Sequence, residues 1–127
     1  MHPTEEDLAG FFGTHDTERH LYDVFAGRTL AGFPGTRVKV HRTQISFYHP
    51  RLFAAVWLPV RAVRGRPEAY VVVTFMLDRQ LDSPRIVESV EPRPGRWTHH
   101  VLVSTPQEID DELLGWVEQA RQLADHG

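Results

Sequence analysis

The sequence predicts an α+β fold: a single twisted, mainly antiparallel sheet of five or six strands, with N-terminal helices and a C-terminal helix packed on it. Helical patterns occur only near the two ends of the chain, and strand patterns fill the middle. The connections between strands are short, which favours antiparallel pairing. With 127 residues, the chain has the length of one domain, and we expect residues 1–127 to form a single α+β domain.

Two helices are predicted before the first strand. Thr4 is suited to cap the first helix, acidic residues follow in its first turn, and Gly13 is suited to end it. Asp16 or Thr17 is predicted to cap the second helix, because apolar residues then recur at helical spacing. These residues are Leu21, Val24 and Phe25.

The strands are predicted to be arranged around residues 43–60. Residues 45–48 alternate as in a half-buried strand, and His49-Pro50 breaks the pattern. Residues 52–58 and 70–77 are apolar on both faces. Strict alternation places Phe53, Ala55 and Trp57 on one face of the first of these strands. A strand of this kind must be covered on both faces or meet a partner chain on one.

The remaining elements follow from shorter patterns. Residues 37–41 alternate between valines and basic residues, residues 86–90 and 97–103 read as two more strands, and the order suggests a meander. Thr105 and Glu108 form a capping box with Pro106 at the first helical position, which predicts the start of the last helix. Its apolar stripe is Ile109, Leu113, Trp116, Ala120 and Leu123.

Composition excludes several classes of protein. The chain has no Cys, which excludes disulfides, zinc–thiolate sites and thiol nucleophiles. Its N-terminus is acidic, unlike a signal peptide, and no apolar run is long enough to cross a bilayer, so we expect a cytoplasmic protein without membrane contact. Residues 24–67 contain no acidic residue and eight basic ones, whereas the last helix is acidic. This segregation indicates an anion-binding face, head-to-tail self-association, or simply two solvated faces.

Short motifs along the chain point to a known family. They are Phe11-Phe12-Gly13, residues 43–47, Phe53-Ala54, Trp57-Leu58-Pro59, residues 83–86, Trp97 with His99-His100, and residues 110–112 with Trp116. Over nearly the whole chain, these resemble a family of small bacterial domains, domain of unknown function 5655, some members of which are loosely labelled predicted transport proteins. The resemblance implies an α+β fold and a bacterial cytoplasmic origin, but no established reaction and therefore no catalytic residues. Family members have an acidic residue soon after the paired His, where this chain has Val101-Leu102-Val103.

His99 and His100 are the most conspicuous polar pair. Adjacent strand residues point to opposite faces, so the two rings are poorly placed to bind one metal. A metal site would need a further ligand such as His41 or His49. The structural alternative, which we favour, is one buried His hydrogen-bonded to a carbonyl or carboxylate and one exposed His.

Arg85 and the acids at 110–112 each allow two interpretations. Arg85 could grip a phosphate or carboxylate of a ligand, or it could pair with Asp78 or Asp82 and fix a loop, which we favour. The acids could bind a cation, but their place in the first turns of the last helix favours capping and dipole roles.

A basic loop at 61–68 suggests an anionic partner. It carries Arg61, Arg64 and Arg66. The nearby aromatic residues Tyr48, Trp57 and Tyr70 suggest nucleic-acid binding. We do not expect that function, because the net charge is −3 and Trp57 lies in an apolar strand that is predicted to be core.

The sequence thus favours a non-enzymatic binding or interaction module for an anionic ligand or a protein partner, with no cofactor and no metal. A homodimer through one sheet face and a small anionic ligand are the expected partners. The alternative classes are a small metal-dependent or hydrolytic enzyme that uses His99 or His100, and a nucleic-acid-binding module. The candidate ligand-binding residues are His99, His100, Arg85, Arg61, Arg64 and Arg66.

Overall fold

Six strands in one antiparallel sheet and three α-helices make up the computed structural model, which describes residues 3–59 and 64–126. The helices are α1 (Glu5–Phe12), α2 (Asp16–Gly32) and α3 (Asp111–His126). The strands are β1 (Arg37–Val40), β2 (Ile45–Tyr48), β3 (Leu52–Trp57), β4 (Val71–Leu77), β5 (Ile86–Arg93) and β6 (Arg96–Val103). The predicted fold class is confirmed. No helix in the described ranges is long and apolar enough to cross a membrane.

The N-terminal helices begin and end close to the predicted points. The Thr4 hydroxyl accepts a hydrogen bond from the Asp7 amide, and the Asp7 carboxylate accepts one from the Thr4 amide, both at 3.1 Å. Gly13 ends α1 with a φ of 57°, a conformation that costs glycine little. Neither predicted cap of α2 is correct: His15 occupies the cap position, without a side-chain hydrogen bond, and Asp16 is the first helical residue.

The strand order is β1-β2-β3-β4-β6-β5, and every pair is antiparallel. The two doubly apolar strands, β3 and β4, are therefore central, as predicted. The last two strands depart from a simple meander, because β6 lies beside β4 and β5 takes the edge. Polar β5 is mostly exposed, whereas β6 has the buried residues His99, Val101 and Val103. Burial thus favours the inner position for β6.

A bulge changes which residues of β3 share a face. Phe47 pairs with Ala54 but Tyr48 pairs with Leu52, so Phe53 is an extra residue in β3. Phe53 therefore packs on the same face as Ala54, with its ring 6.4 Å from that of Phe33. The prediction that Phe53 shares a face with Ala55 and Trp57 is wrong, because strict alternation assumes an unbroken strand.

The helices cover one face of the sheet. The ring of Phe25 on α2 lies 5.5 Å from that of Phe47, and the ring of Trp116 on α3 lies 5.8 Å from that of Phe75. Phe47 and Phe75 both pair with Ala54, so they point to the same side. We call the opposite side the open face; each strand contributes one residue to its central row. The row runs Lys39, Ser46, Ala55, Thr74, His100, Glu88.

Trp57 lies on the open face, two residues after Ala55, and is half-buried. The prediction that Trp57 belongs to the core is therefore wrong. Tyr70, another aromatic residue of the nucleic-acid alternative, is only 2% exposed and has little ring surface on which a base could stack.

The predicted C-terminal helix is divided in two. The capping box of Thr105 and Glu108 opens a short 3₁₀ turn, Pro106–Glu108, rather than the long helix. Ile109 follows as a buried anchor, and α3 starts afresh, with the Asp110 carboxylate accepting a hydrogen bond from the Leu113 amide at 3.0 Å. The capping role favoured for the acids is thus observed at Asp110. The buried stripe of α3 is Leu113, Val117 and Ala120.

Arg85 ties the start of β5 to the start of α3. Its Nη1 donates to Asp110 and to Glu112, each at 2.9 Å, and its Nη2 donates to the Glu108 carbonyl at 2.7 Å. The guanidinium also lies 5.8 Å from the centre of the Trp116 ring. The expected intramolecular pairing is present, but with these acids and not with Asp78 or Asp82.

We predict that Arg85→Ala lowers the free energy of unfolding by about 1–3 kcal/mol, since it removes several charge-assisted hydrogen bonds from half-exposed partners. The free energy of unfolding of Arg85→Lys should lie between those of the unaltered chain and Arg85→Ala, because an ammonium group cannot donate the same forked set of hydrogen bonds. Arg42→Ala is the matched control: Arg42 is exposed and has no hydrogen bond or ion pair with the described residues. Its change should stay within about 0.5 kcal/mol. Urea denaturation measures all three, and equal losses in Arg85→Ala and Arg42→Ala would contradict the anchoring role.

Candidate functional site

His99 lies on the helix face of β6 and is fully buried. Its ring stacks on Phe75 with a centroid distance of 5.3 Å, and its Nε2 accepts a hydrogen bond from the Leu81 amide at 2.9 Å. Since Nε2 is the acceptor, the neutral ring has its proton on Nδ1, which has no hydrogen-bond partner in the described part of the chain. His99 is thus the buried histidine of the favoured interpretation, but its partner is a backbone amide and not a carbonyl or carboxylate.

Burial lowers the pKa of His99. The Phe75 carbonyl raises this pKa in part, without reaching hydrogen-bond geometry at Nδ1, and nearby Arg79 lowers it further. The net shift is downward, so the neutral ring is the stable form at pH 7. A neutral ring sealed in the core cannot touch a substrate.

His100 points to the open face, where it ends a chain of hydrogen bonds. The Trp57 indole donates to Thr74 Oγ1 at 2.8 Å, and Thr74 Oγ1 lies 2.8 Å from His100 Nδ1. Because Thr74 accepts from Trp57, its own hydroxyl proton is free to be donated to His100. The other ring nitrogen, Nε2, lies 3.7 Å from the Glu88 carboxylate. Burial lowers the pKa of His100, and Glu88 partly offsets this effect.

The other histidines do not join this pair. His41 Nε2 lies 3.1 Å from the Tyr48 hydroxyl, and His49 Nδ1 lies 2.8 Å from Asp125. Within residues 3–59 and 64–126, no three His, Asp or Glu side chains are grouped as a metal would require.

The candidate arginines lie apart from the histidines. Arg61 falls outside the described residues. Arg64 and Arg66 are exposed in the loop between β3 and β4, and Arg66 Nη1 is 3.5 Å from the Tyr70 hydroxyl. No hydrogen bond or ion pair joins these two, or Arg85, to either histidine in the part of the chain that the structure describes.

Three other arginines do come together, at the end of the sheet where β3 begins and β6 begins. Arg51, Arg93 and Arg96 line a cavity of about 90 Å³, which we call the arginine cavity. Its other walls are Leu52, Met76, Ala120, Leu123 and Ala124. Strand ends and the last turns of α3 therefore form one basic recess with an apolar floor.

The guanidinium groups of this cavity lack matching carboxylates. Arg51 and Arg93 are exposed and form no hydrogen bond or ion pair with the described residues, and Arg96 donates only to the Gly95 carbonyl, at 3.2 Å. Arg93 and Arg96 are also direct cross-strand partners. Like charges in that position repel each other, so a counter-ion would relieve an unfavourable contact.

The sequence patterns do not predict the arginine cavity. Arg51 lies in the basic segment of residues 24–67, and Arg93 and Arg96 lie between the strands predicted at 86–90 and 97–103. Arg51 is far in the chain from Arg93 and Arg96, and the three meet because β6 lies beside β4. A correct strand order would have been the signal needed to find them.

We predict that stability falls as the pH falls below about 6.5, the ordinary value for the unfolded chain. Both His99 and His100 have lowered pKa values in the folded state. The unfolded chain therefore binds protons more readily, and acid favours unfolding. His99→Gln keeps an acceptor for the Leu81 amide but cannot titrate, so its unfolding free energy should vary less between pH 7.5 and pH 5.5. Urea denaturation across that range tests this prediction, and an unchanged slope in the variant would contradict it.

Comparison with known proteins agrees with the motifs found in the sequence. No curated protein matches the chain, and no solved structure matches it. A family model described as domain of unknown function (DUF5655) matches residues 11–124, which include every strand, α2 and nearly all of α3. The chain belongs to this family.

Proposed function

We propose that this domain is a non-enzymatic binding module that holds a small anionic ligand in the arginine cavity. The observation that carries this proposal is the direct pairing of Arg93 with Arg96, beside Arg51, without a carboxylate partner in the described residues. A bound anion would replace repulsion between like charges with charge-assisted hydrogen bonds.

In the described chain, the partly buried arginines outside the cavity each have a carboxylate partner. Arg19 forms a two-pronged pair with Glu5 at 2.7 and 2.6 Å, and Arg121 pairs with Asp125 at 2.9 Å. Arg85 has Asp110 and Glu112. Each of these structural arginines thus has a carboxylate partner. Asp125, which follows the cavity residue Ala124, is engaged by Arg121 and by His49.

The size and lining of the cavity limit the ligand class. About 90 Å³ holds several waters or one small oxyanion, since one water needs only about 10–15 Å³. The apolar floor formed by Leu52, Met76 and the last turns of α3 would shield the ionic bonds from water and strengthen them. We therefore favour a phosphate or carboxylate group, alone or at the end of a small molecule.

The histidine pair supports a binding role over catalysis. His99 is sealed in the core, and the Thr74 hydroxyl next to His100 already accepts a hydrogen bond from Trp57. Thr74, whose hydroxyl lies 2.8 Å from His100 Nδ1, is only 8% exposed, so this hydroxyl–imidazole pair has little access to a substrate.

We predict that inorganic phosphate binds saturably at this cavity. At constant ionic strength, a phosphate titration followed by amide NMR should shift residues 51–52, 93–96 and 120–124 along one binding curve. Arg51→Ala and Arg93→Ala should each weaken binding about tenfold or more, since a charge-assisted hydrogen bond contributes about 1.5–3 kcal/mol. Both side chains are exposed, so the variants should still fold.

Arg42→Ala and Arg64→Ala are the matched controls, because each removes the same charge from an exposed position outside the cavity. They should leave phosphate binding unchanged. Equal weakening in all four variants would show a general charge effect, and an effect confined to Arg64 would move the anion site to the loop after β3. Either result, or the lack of saturable shifts, would overturn the cavity as the site.

A further inference from the structure

The central row of the open face has opposite charges at its two ends. The register places Lys39 on edge strand β1 and Glu88 on edge strand β5, with one residue of each inner strand between them. Lys39 is exposed and has no ion pair with the described residues, and the contact of Glu88 is with His100, whose lowered pKa favours the neutral form. Both charges are therefore available to a partner.

Most polar groups between these ends already have hydrogen-bond partners, and His100 Nε2 lies 3.7 Å from the Glu88 carboxylate. Trp57, Thr74 and His100 form the hydrogen-bond chain described above, and Gln44 donates to the Ser46 hydroxyl at 2.8 Å. Covering a surface of this kind leaves few buried donors or acceptors unpaired. Large apolar side chains flank the row and are not fully covered by the fold: Leu52 is 36% exposed and Val90 is 45% exposed.

We infer that the open face packs against the same face of a second copy of this chain, with Lys39 of each copy opposite Glu88 of the other. A homodimer interface of this kind is self-complementary about a two-fold axis. Because the row has Lys39 at one end and Glu88 at the other, a two-fold axis forms two Lys39–Glu88 pairs.

The charges also select the direction of the axis. A two-fold axis that runs along the strands, between β3 and β4, places β1 of one copy over β5 of the other and brings Lys39 to Glu88. An axis that runs across the strands would place Lys39 over Lys39 and Glu88 over Glu88, which like charges disfavour.

Side-chain sizes agree with the same axis. It places His100 over the small Ser46, and Trp57 over Val72, which is only 1% exposed and lies low in the face. Large side chains thus face small ones across the interface, as close packing of two sheets requires.

The width and length of the sheet set the area that a second copy could cover. With strands about 4.8 Å apart, the sheet is roughly 24 Å wide, and strands of six or seven residues run roughly 20 Å. The projected footprint is therefore roughly 480 Å², and interdigitating side chains have to add to it to reach the ~800 Å² per partner of a typical specific interface. Packed sheets lie about 10 Å apart, a gap that extended Lys and Glu side chains can bridge together.

A charge swap tests the inference. The unaltered chain should sediment as a dimer, and Lys39→Glu and Glu88→Lys should each weaken the dimer about tenfold or more, because each change creates two repulsive pairs. The double variant Lys39→Glu/Glu88→Lys should recover the dimer, since it restores both pairs with reversed sign. Both side chains are exposed, so circular dichroism should show a folded protein in every case.

Arg42→Glu is the control, because it reverses an exposed charge in the turn after β1 that lines a recess with Glu6 and Asp7 of α1, away from the open face. It should leave the dimer intact. A monomer at all concentrations of the unaltered chain would mean that another partner or water covers this face. That result, or a double variant that fails to recover, would overturn the inference. Neither Lys39 nor Glu88 lines the arginine cavity, so neither charge swap removes a residue of the proposed anion site.

Discussion

Burial of β3 and β4 on both faces is the constraint on which the rest of the structure depends. On the helix face, Phe47 and Phe75 sit beneath α2 and α3. On the open face, Ala55 and Val72 are only 3% and 1% exposed although no described helix lies over them. Their small size lets neighbours such as Trp57 cover them, so the sheet closes part of its second face by itself. What remains is a surface whose central polar groups are largely hydrogen-bonded to one another.

Acidic and basic residues are segregated in the sequence, and this segregation has a different consequence at each end of α3. At the start of α3 the acidic helix meets basic side chains from elsewhere: Asp111 pairs with Arg28, and Asp110 and Glu112 pair with Arg85. The Arg85 pairs tie α3 to the start of β5, the Arg28 pair ties α3 to α2, and together they neutralise three of the acids of that segment. At the other end of α3, Asp125 is already paired with Arg121 and His49, and Arg93 and Arg96 are cross-strand partners. The net charge of −3 conceals this difference.

Local signals predicted more of this molecule than long-range ones. Thr4, Gly13 and the strand runs depend on residues close in sequence, so the fold class and most boundaries could be inferred. The bulge at Phe53 could not, because a bulge is a property of two paired strands. The edge position of β5 could not be inferred either. The arginine cavity depends on that strand order, so it could not be predicted. At His99 and Arg85 the residue type indicated a structural role, but the partners, Leu81 and the acids of α3, depend on tertiary contacts.

The two proposed surfaces share side chains, which links them energetically. Leu52 lies on the open face, in register with Tyr48, and also lines the arginine cavity, as does Met76. A second copy on the open face would withdraw both from water. With the cavity empty, the lower local dielectric would strengthen the repulsion between Arg93 and Arg96 and oppose association. With an anion bound, the same change would strengthen its hydrogen bonds and favour association. Because such coupling is reciprocal, a dimer would then bind the anion more tightly than a monomer, and the anion would stabilise the dimer by the same free energy.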